Sequence, residues 1–321
     1  MQVGKASLRF EHPAFVASWA SVAGKKEGQG PLADGIDVTE TDEMFGMENW
    51  EQAESAMQKQ AADLALEKGN IHRREVRYLF AGDLLGQLIA TSFGTVDLEI
   101  PLFGLYGACS TMGEALGLGA MCVNAGYADR VLALVSSHYA TAEKQFRFPL
   151  GYGNQRAQSA TWTVTGCGAV VLESGSEMKR EGACSEKNSE TAMKLAETGG
   201  NGMGRKNHRF RVAVTGITTG KLVDMGTKDS MNMGAAMAPA AWNTICQNFE
   251  DFGVGASYYD RIITGDLGAV GQKLSLIHIY CPAYFFRAGR RFHSGHGRRT
   301  YCRAGQSQRT GGAEWHLPGN L

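Results

Sequence analysis

Four residues in separate stretches of this sequence have the strongest chemical potential: Cys109, His138, Arg147 and Asp229. Cys109 stands in Gly107-Ala108-Cys109-Ser110, after an apolar run and before a small-residue segment. Small neighbours permit a sharp strand-to-helix bend, and the first N–H groups of a helix lack intrahelical partners. The positive end of a helix dipole lowers a thiol pKa and favours thiolate. It equally favours a bound carboxylate. A small buried cysteine satisfies the same pattern, so all three readings stay open. Cys122, on the apolar run that follows, reads as core.

His138 closes "RVLALVSSH", which places it at the C-terminal edge of a strand, where open α/β sheets gather ligands. A satisfied structural histidine fits the same position. The next stretch, "YATAEKQFRFP", carries Glu143, Lys144 and Arg147 in a loop-like setting and reads either as a binding rim or as a solvated face. Asp224 and Asp229 lie in the Gly- and Met-rich "VDMGTKDSMNMGAAMAPAAWNT" ahead of a helix. They can shape a pocket, or Asp229 can cap the helix while the methionines fill a core. There is no phosphate-binding G-x-x-x-x-G-K-[ST] loop and no G-x-S-x-G elbow, and "GYGNQ" lacks the strand–helix context of a dinucleotide site.

The elements that must position these residues alternate. Trp50, Ala53, Met57, Ala61 and Leu64 step at helical spacing and stop at Gly69-Asn70. "VRYLF" (76–80) reads as a buried strand running into Gly-Asp-Leu at 82–84. "PLFGLY" (101–106) is a strand, Thr111 to Asn124 a helix closed by Gly126, and "RVLALVSS" (130–137) a strand. "TWTVTGCGAVVLES" (161–174) is one bent strand or two, and "RFRVAVTGITTG" (209–220) opens a further unit. Trp242, Ile245, Phe249 and Phe252 form a second helical stripe, followed by "DRIIT" and a second Gly-Asp-Leu at 265–267. Helix, strand and Gly-Asp-Leu thus recur at an offset of 183 residues, a duplication of large halves. Alternation predicts an α/β fold with a mainly parallel sheet covered by helices. The boundaries read as 1–173 for the first half, 174–208 for a polar insertion or linker, 209–273 for the start of the second half, and 274–321 for an anomalous tail.

Composition narrows the classes. Apolar content of 43% and charged content of 20% describe a globular chain, and 42 glycines fit many tight junctions. A net charge of zero gives no bulk attraction for nucleic acid. No apolar run reaches the ~18 residues of a membrane span, and the N-terminus lacks the apolar region of a signal peptide. Seven cysteines without paired spacing fit a reducing compartment. Residues 1–273 hold 25 Lys and Arg against 31 Asp and Glu, whereas 274–321 hold 7 Arg, no Lys and only Glu314. That tail reads as a change of frame or a joined foreign sequence, or alternatively as a basic arm. Its Cys281, His293, His296 and Cys302 fit no standard zinc spacing, so no metal site is expected.

"AGDLLGQ", "LYGACSTMGEAL", "SSHYATAEKQFRFP", "TVTGCGAVVL" and "MGTKDSMNMGAAMAPAA" together resemble the stage V sporulation protein AD family, across residues 5–272. The resemblance implies a thiolase-like fold of duplicated α-β-α-β-α layers, here with the second half incomplete. It implies binding of dipicolinic acid and its uptake with Ca²⁺ into the developing spore, beside other stage V sporulation A membrane proteins. Cys109 matches the family's nucleophile-position cysteine and His138 the histidine that follows. Cys109, His138, Arg147 and Asp229 are then the expected ligand-binding residues, with no catalytic residue beyond a vestigial Cys109. A helix N-terminus at Cys109 suits one carboxylate of this flat aromatic dianion, and Arg147 could grip the other bidentately. Phe103 and Tyr106 offer an apolar wall or belong to the core. No cofactor is expected. The competing reading is a thiolase- or ketoacyl-synthase-like acyltransferase that uses Cys109 and coenzyme A thioesters. A third is a structural partner of a membrane channel. The implied location is the cytoplasmic face of the forespore or spore inner membrane, peripherally, with a homodimer as an open possibility.

Overall fold

A computed structural model describes residues 1–146, 161, 163–175, 212–229, 232–268 and 271. Its strands are β1 (Gln2–Val3), β2 (Ser7–Gly24), β3 (Val38–Glu40), β4 (Tyr78–Gly82), β5 (Leu102–Gly104), β6 (Arg130–Ser137), β7 (Gly166–Glu173) and β8 (Ala213–Thr218). Its helices are α1 (Trp50–Gly69), α2 (Ile89–Thr95), α3 (Thr111–Asn124), α4 (Tyr139–Phe146) and α5 (Met233–Phe252). The expected insertion at 174–208, apart from Ser174 and Gly175, lies outside the described residues, as does the tail at 274–321.

All eight strands form one sheet in the order β1-β2-β7-β6-β4-β5, with β3 and β8 also pairing with β2. β4 is parallel to both β5 and β6, but β7 is antiparallel to β6 and to β2. The sheet is therefore mixed, not mainly parallel. Alternating strands and helices give parallel neighbours only where the connection crosses over the sheet. Here β7 starts where β6 ends, Ser137 pairing with Gly166, so the chain runs back.

β2 is the longest of the described strands, at 18 residues, and has no counterpart among the strands read from sequence. It contains Pro13, which cannot donate to a ladder. The β2–β8 register shifts between Arg9 and Ala14, and the β2–β7 register between Val16 and Ser18. Such irregularities accommodate the proline and blur the two-residue alternation that marks a strand.

Helices cover both faces. On one, α1 presents Met57, Ala61, Ala65 and Leu66 to Leu79, Ala81, Leu132, Leu134 and Val171. On the other, Ala115, Ala120 and Val123 of α3 pack on Phe80, Val131, Ala133 and Leu172. Small residues on both helices let them approach the sheet closely. Cys122 packs at the margin of this second core.

The helical repeat extends to its ends. α1 and α5 are each 20 residues long and start 183 residues apart. Asn49 caps α1 by accepting from Gln52 N, and Asn232 caps α5 by accepting from Ala235 N. Asn70 and Gly253 close the two helices in the left-handed region. A single 3-10 turn follows each, Arg73–Glu75 and Ala256–Tyr258. After that the halves diverge. The first continues into β4, whereas 260–264, expected as a strand leading into the second Gly-Asp-Leu, is irregular, with Ile263 88% exposed. Among the described residues no neighbouring strand supplies a ladder for it, and a strand without a partner leaves its backbone groups unpaired.

Candidate functional site at the strand ends

β4, β5 and β6 are adjacent and parallel, so their C-terminal ends lie along one edge. Asp83 follows β4, Cys109 follows β5 after a short turn, and His138 follows β6. Open sheets bind ligands at such an edge.

The turn carrying Cys109 is held tightly. Gly82 makes it possible, since a Cβ there would lie 2.1 Å from the Leu105 carbonyl oxygen and 2.8 Å from Thr111 Cγ2. Ala108 takes φ of 47°, in the left-handed region that costs an alanine free energy. Ser110 N and Ser110 Oγ donate to Gly107 O, Gly107 N donates to Thr111 Oγ1, and Thr111 Oγ1 donates to Ala108 O. Residues 108–110 form a 3-10 turn ahead of α3, and Thr111 N donates to Ala108 O. The N–H groups of Ser110 and Thr111 are thus used inside the turn.

Cys109 itself is exposed. Its thiol is nevertheless pushed up from the ordinary value, first by the protein packed around it and further by the Asp266 carboxylate, while its own backbone N–H works the other way. The sequence pattern suggested a lowered thiol pKa. The helix-dipole effect assumed there is outweighed by crowding and by a nearby negative charge. Gly265 of the second Gly-Asp-Leu lies against this cysteine, the Cys109 Cβ being 3.6 Å from where a Gly265 Cβ would stand. The second half therefore reaches the first half's turn.

His138 is buried, and both ring nitrogens are engaged. Nδ1 accepts from Ala140 N at 3.2 Å, which leaves Nε2 to donate to Glu43 O at 3.0 Å. Burial holds its pKa below the usual histidine value. Its neighbour Glu43 precedes α1, whereas Cys109 leads into α3 on the other face of the sheet. The two residues share an edge and face different layers. Asp229 is exposed ahead of α5, and its backbone carbonyl accepts from Asn232 N. The helix cap expected of Asp229 is made by Asn232. Asp224 closes a local turn by accepting from Gly226 N. Arg147 lies outside the described residues. Phe103, stacked on Phe80 at 5.1 Å, and Tyr106 are exposed on the edge-strand side and are not core.

A buried polar network beneath this edge escaped the sequence reading. Asp83 accepts from Leu85 N, Thr91 N and Thr91 Oγ1 at 2.6–2.7 Å, which caps α2 from a distance. Gln58 Nε2 donates to Thr91 Oγ1 and to Ser136 Oγ, and Ser136 Oγ donates to Glu54 Oε1. Thr141 Oγ1 lies 2.8 Å from Glu54 Oε2 and 2.9 Å from His138 O. Burial pushes Glu54 up to about 7, with the charges of Asp83 and Glu51 adding to the rise and bonds from Ser136 and Thr141 opposing it. Glu143, expected on a solvated face, is buried and accepts from Thr163. Glu54 and Gln58 do share a helical stripe with Ala61, Ala62 and Ala65, which is the one local signal of their burial.

Among the described residues, no group of three or more His, Cys, Asp or Glu side chains is arranged to hold a metal ion, and no helix is long and apolar enough to cross a membrane. A groove of about 470 Å³ lined by His12, Phe15, Asn124 and Asp129 lies at the opposite end of the sheet. It is open and shares no residue with the strand-end site.

Known structures with this architecture include cerulenin-bound OleA of Xanthomonas campestris, with a TM-score of 0.53 and 13% identity over 85% of this chain and 80% of that one. Another is 3-oxoacyl-(acyl carrier protein) synthase III of Xanthomonas oryzae, with a TM-score of 0.50 and 14% identity over 85% and 82%. At such identities the likeness is one of fold, which is α/β and thiolase-like. In sequence, Stage V sporulation protein AD of Bacillus subtilis (strain 168) is 39% identical over 271 residues, 84% of this chain and 70% of that protein. The family profile described as Stage V sporulation protein AD (SpoVAD) matches residues 4–313, so it takes in most of the segment after 273. With a matching profile over nearly the whole chain and a relative at this identity, the chain belongs to the Stage V sporulation protein AD family.

Proposed function

We propose that this chain binds dipicolinic acid at the strand-end edge and assists its uptake, with Ca²⁺, into the developing spore. It would act peripherally on the cytoplasmic face of the forespore or spore inner membrane, beside the other stage V sporulation A membrane proteins. The observation that carries this reading is family membership combined with the turn at Cys109, where a thiol is fixed and exposed at the start of α3. A thiol with a raised pKa stays neutral and does not repel a carboxylate. The carboxylate of Asp266 nearby disfavours a bare dianion and suits the calcium chelate, whose charge is already neutralised. Arg147 and Asp229 remain the proposed further ligand contacts. The exposed apolar side chains of Leu102 and Phe103 on the edge strand and Tyr106 just after it offer a face for a second copy of the chain.

Acyl transfer through Cys109 and coenzyme A thioesters is the weaker reading. It needs a thiolate and a nearby base. Here the thiol pKa is raised, and His138 has both nitrogens engaged elsewhere. Isothermal calorimetry with dipicolinate, alone and with equimolar Ca²⁺, tests the proposal. Binding is expected, stronger with Ca²⁺ and at least several-fold weaker in Cys109→Ala. An acyl-Cys109 adduct formed from an acyl-CoA, or unchanged binding in Cys109→Ala, would overturn it.

A further inference from the structure

We propose that Glu54 is a proton-operated latch between α1 and the start of α4, independent of any ligand. Thr141 has one hydroxyl hydrogen and two oxygens within reach, Glu54 Oε2 at 2.8 Å and His138 O at 2.9 Å. The His138 carbonyl has no hydrogen to give. Both contacts are hydrogen bonds only when Glu54 carries a proton on Oε2 and donates it to Thr141, which then donates to His138 O. Ser136 Oγ meanwhile donates to Glu54 Oε1. The acid form satisfies every one of these groups.

Among the described residues, the network holds no hydrogen in reserve for a carboxylate. Both Gln58 Nε2 hydrogens are committed to Thr91 and Ser136, and the Thr91 hydroxyl is committed to Asp83. Gln58 Oε1 is itself buried and short of a donor. If Glu54 ionises, Thr141 must turn to it and abandon His138 O, which leaves that carbonyl to Ala142 N alone and weakens the first turn of α4. Among the described residues, the charged and titratable groups on the elements packed around Glu54 are Glu51 on α1, Asp83 after β4, His138 after β6, Glu143 and Lys144 on α4, and Cys167 on β7. Lys144 is paired with Glu51 and lies 5.5 Å from the Trp50 ring, and Glu143 accepts from Thr163. Asp83 and Glu51 both oppose a second negative charge. An exposed glutamate gives up its proton near 4.5 and the buried one at about 7, so opening α4 grows easier across that interval.

Amide hydrogen exchange on the full chain, corrected for intrinsic rates, tests the latch. Opening of α4 should rise about tenfold per pH unit between pH 5 and 7 and then level off. The amides of α3 should not follow. Glu54→Gln should keep α4 closed and abolish the slope, because the amide accepts from Ser136 and donates to Thr141 as the acid does. A flat wild-type profile, a slope retained in Glu54→Gln, or an identical slope in α3 overturns the proposal. Should Glu54→Gln fail to fold, infrared spectroscopy of the wild type decides the point. A buried carboxylic-acid band present at pH 6 and lost by pH 8 supports the latch, and its absence at pH 6 overturns it.

Discussion

The two Gly-Asp-Leu units begin from the same preceding structure and end in different physical roles. Each follows a 20-residue helix with an asparagine cap, a left-handed stop and a 3-10 turn. In each, the aspartate accepts from the N–H two residues on, Leu85 in the first and Gly268 in the second. Asp83, however, is buried and also holds the start of α2 through Thr91. Asp266 is exposed and stands by Cys109. One copy became a pillar while the other faces the candidate site, and the difference follows from whether a strand precedes it in the sheet. Asp83→Ala should therefore give the largest effect. It leaves buried donors on Leu85 and Thr91 unsatisfied, and urea unfolding should register a loss of about 3 kcal/mol. A loss under 1 kcal/mol would remove the contrast between the copies.

The helix caps offer a sharper comparison. Asn49→Ala and Asn232→Ala delete the same bond in the two halves, and each should cost about 1 kcal/mol. Should only one substitution matter, the two helices carry unequal shares of stability despite matching ends. The second half has a further tie to the first at the far end of α5. Asp251 accepts from Lys5 N, Ala6 N, Ser7 Oγ and Gln247 Nε2. These bonds, the Lys5 amide first, hold its pKa well below the ordinary 3.8. A depressed carboxylate contributes stability that is present above 3.8 and lost as pH falls through its lowered value. Asp251→Asn should flatten that acid-side loss, seen as a smaller change in thermal midpoint between pH 4 and pH 2, while leaving the Glu54-dependent behaviour near pH 7 intact.

Local signals were enough for much of this fold. α1 begins at Trp50 and stops at Asn70, α3 spans Thr111–Asn124, and β6 spans Arg130–Ser137, as apolar spacing and caps require. The thiolase-like architecture was legible through the family resemblance, and the mixed strand order was not. β2 stayed hidden because Pro13 and two register shifts disturb its alternation. The strand expected after α5 failed because pairing is a property of neighbours, which a single stretch does not encode. The site was legible only in part. The positions of Cys109 and His138 at strand ends were legible in the sequence, whereas the different layers they face were not. Glu54 and Gln58 were missed because their burial depends on Ser136, 82 and 78 residues away, and for Glu54 also on Thr141. Polar residues on an amphipathic helix ordinarily face water, and only long-range partners reverse that default.

The smallest expected effect is the most informative about the second copy. Asp266→Asn keeps an oxygen in place to accept from Gly268 N, so unfolding stability should change by less than about 0.5 kcal/mol. The substitution removes a negative charge beside Cys109. That charge, after burial, is what raises the thiol. The rate of Cys109 alkylation against pH should therefore shift toward lower pH in the variant, with the thiol still above its ordinary value because the surrounding protein is unchanged. Both residues are exposed, so salt should screen the interaction. In 1 M salt the wild-type and variant curves should approach each other. Coincident curves at low salt would mean that Asp266 does not act on Cys109, and the second Gly-Asp-Leu would then have no part in the site.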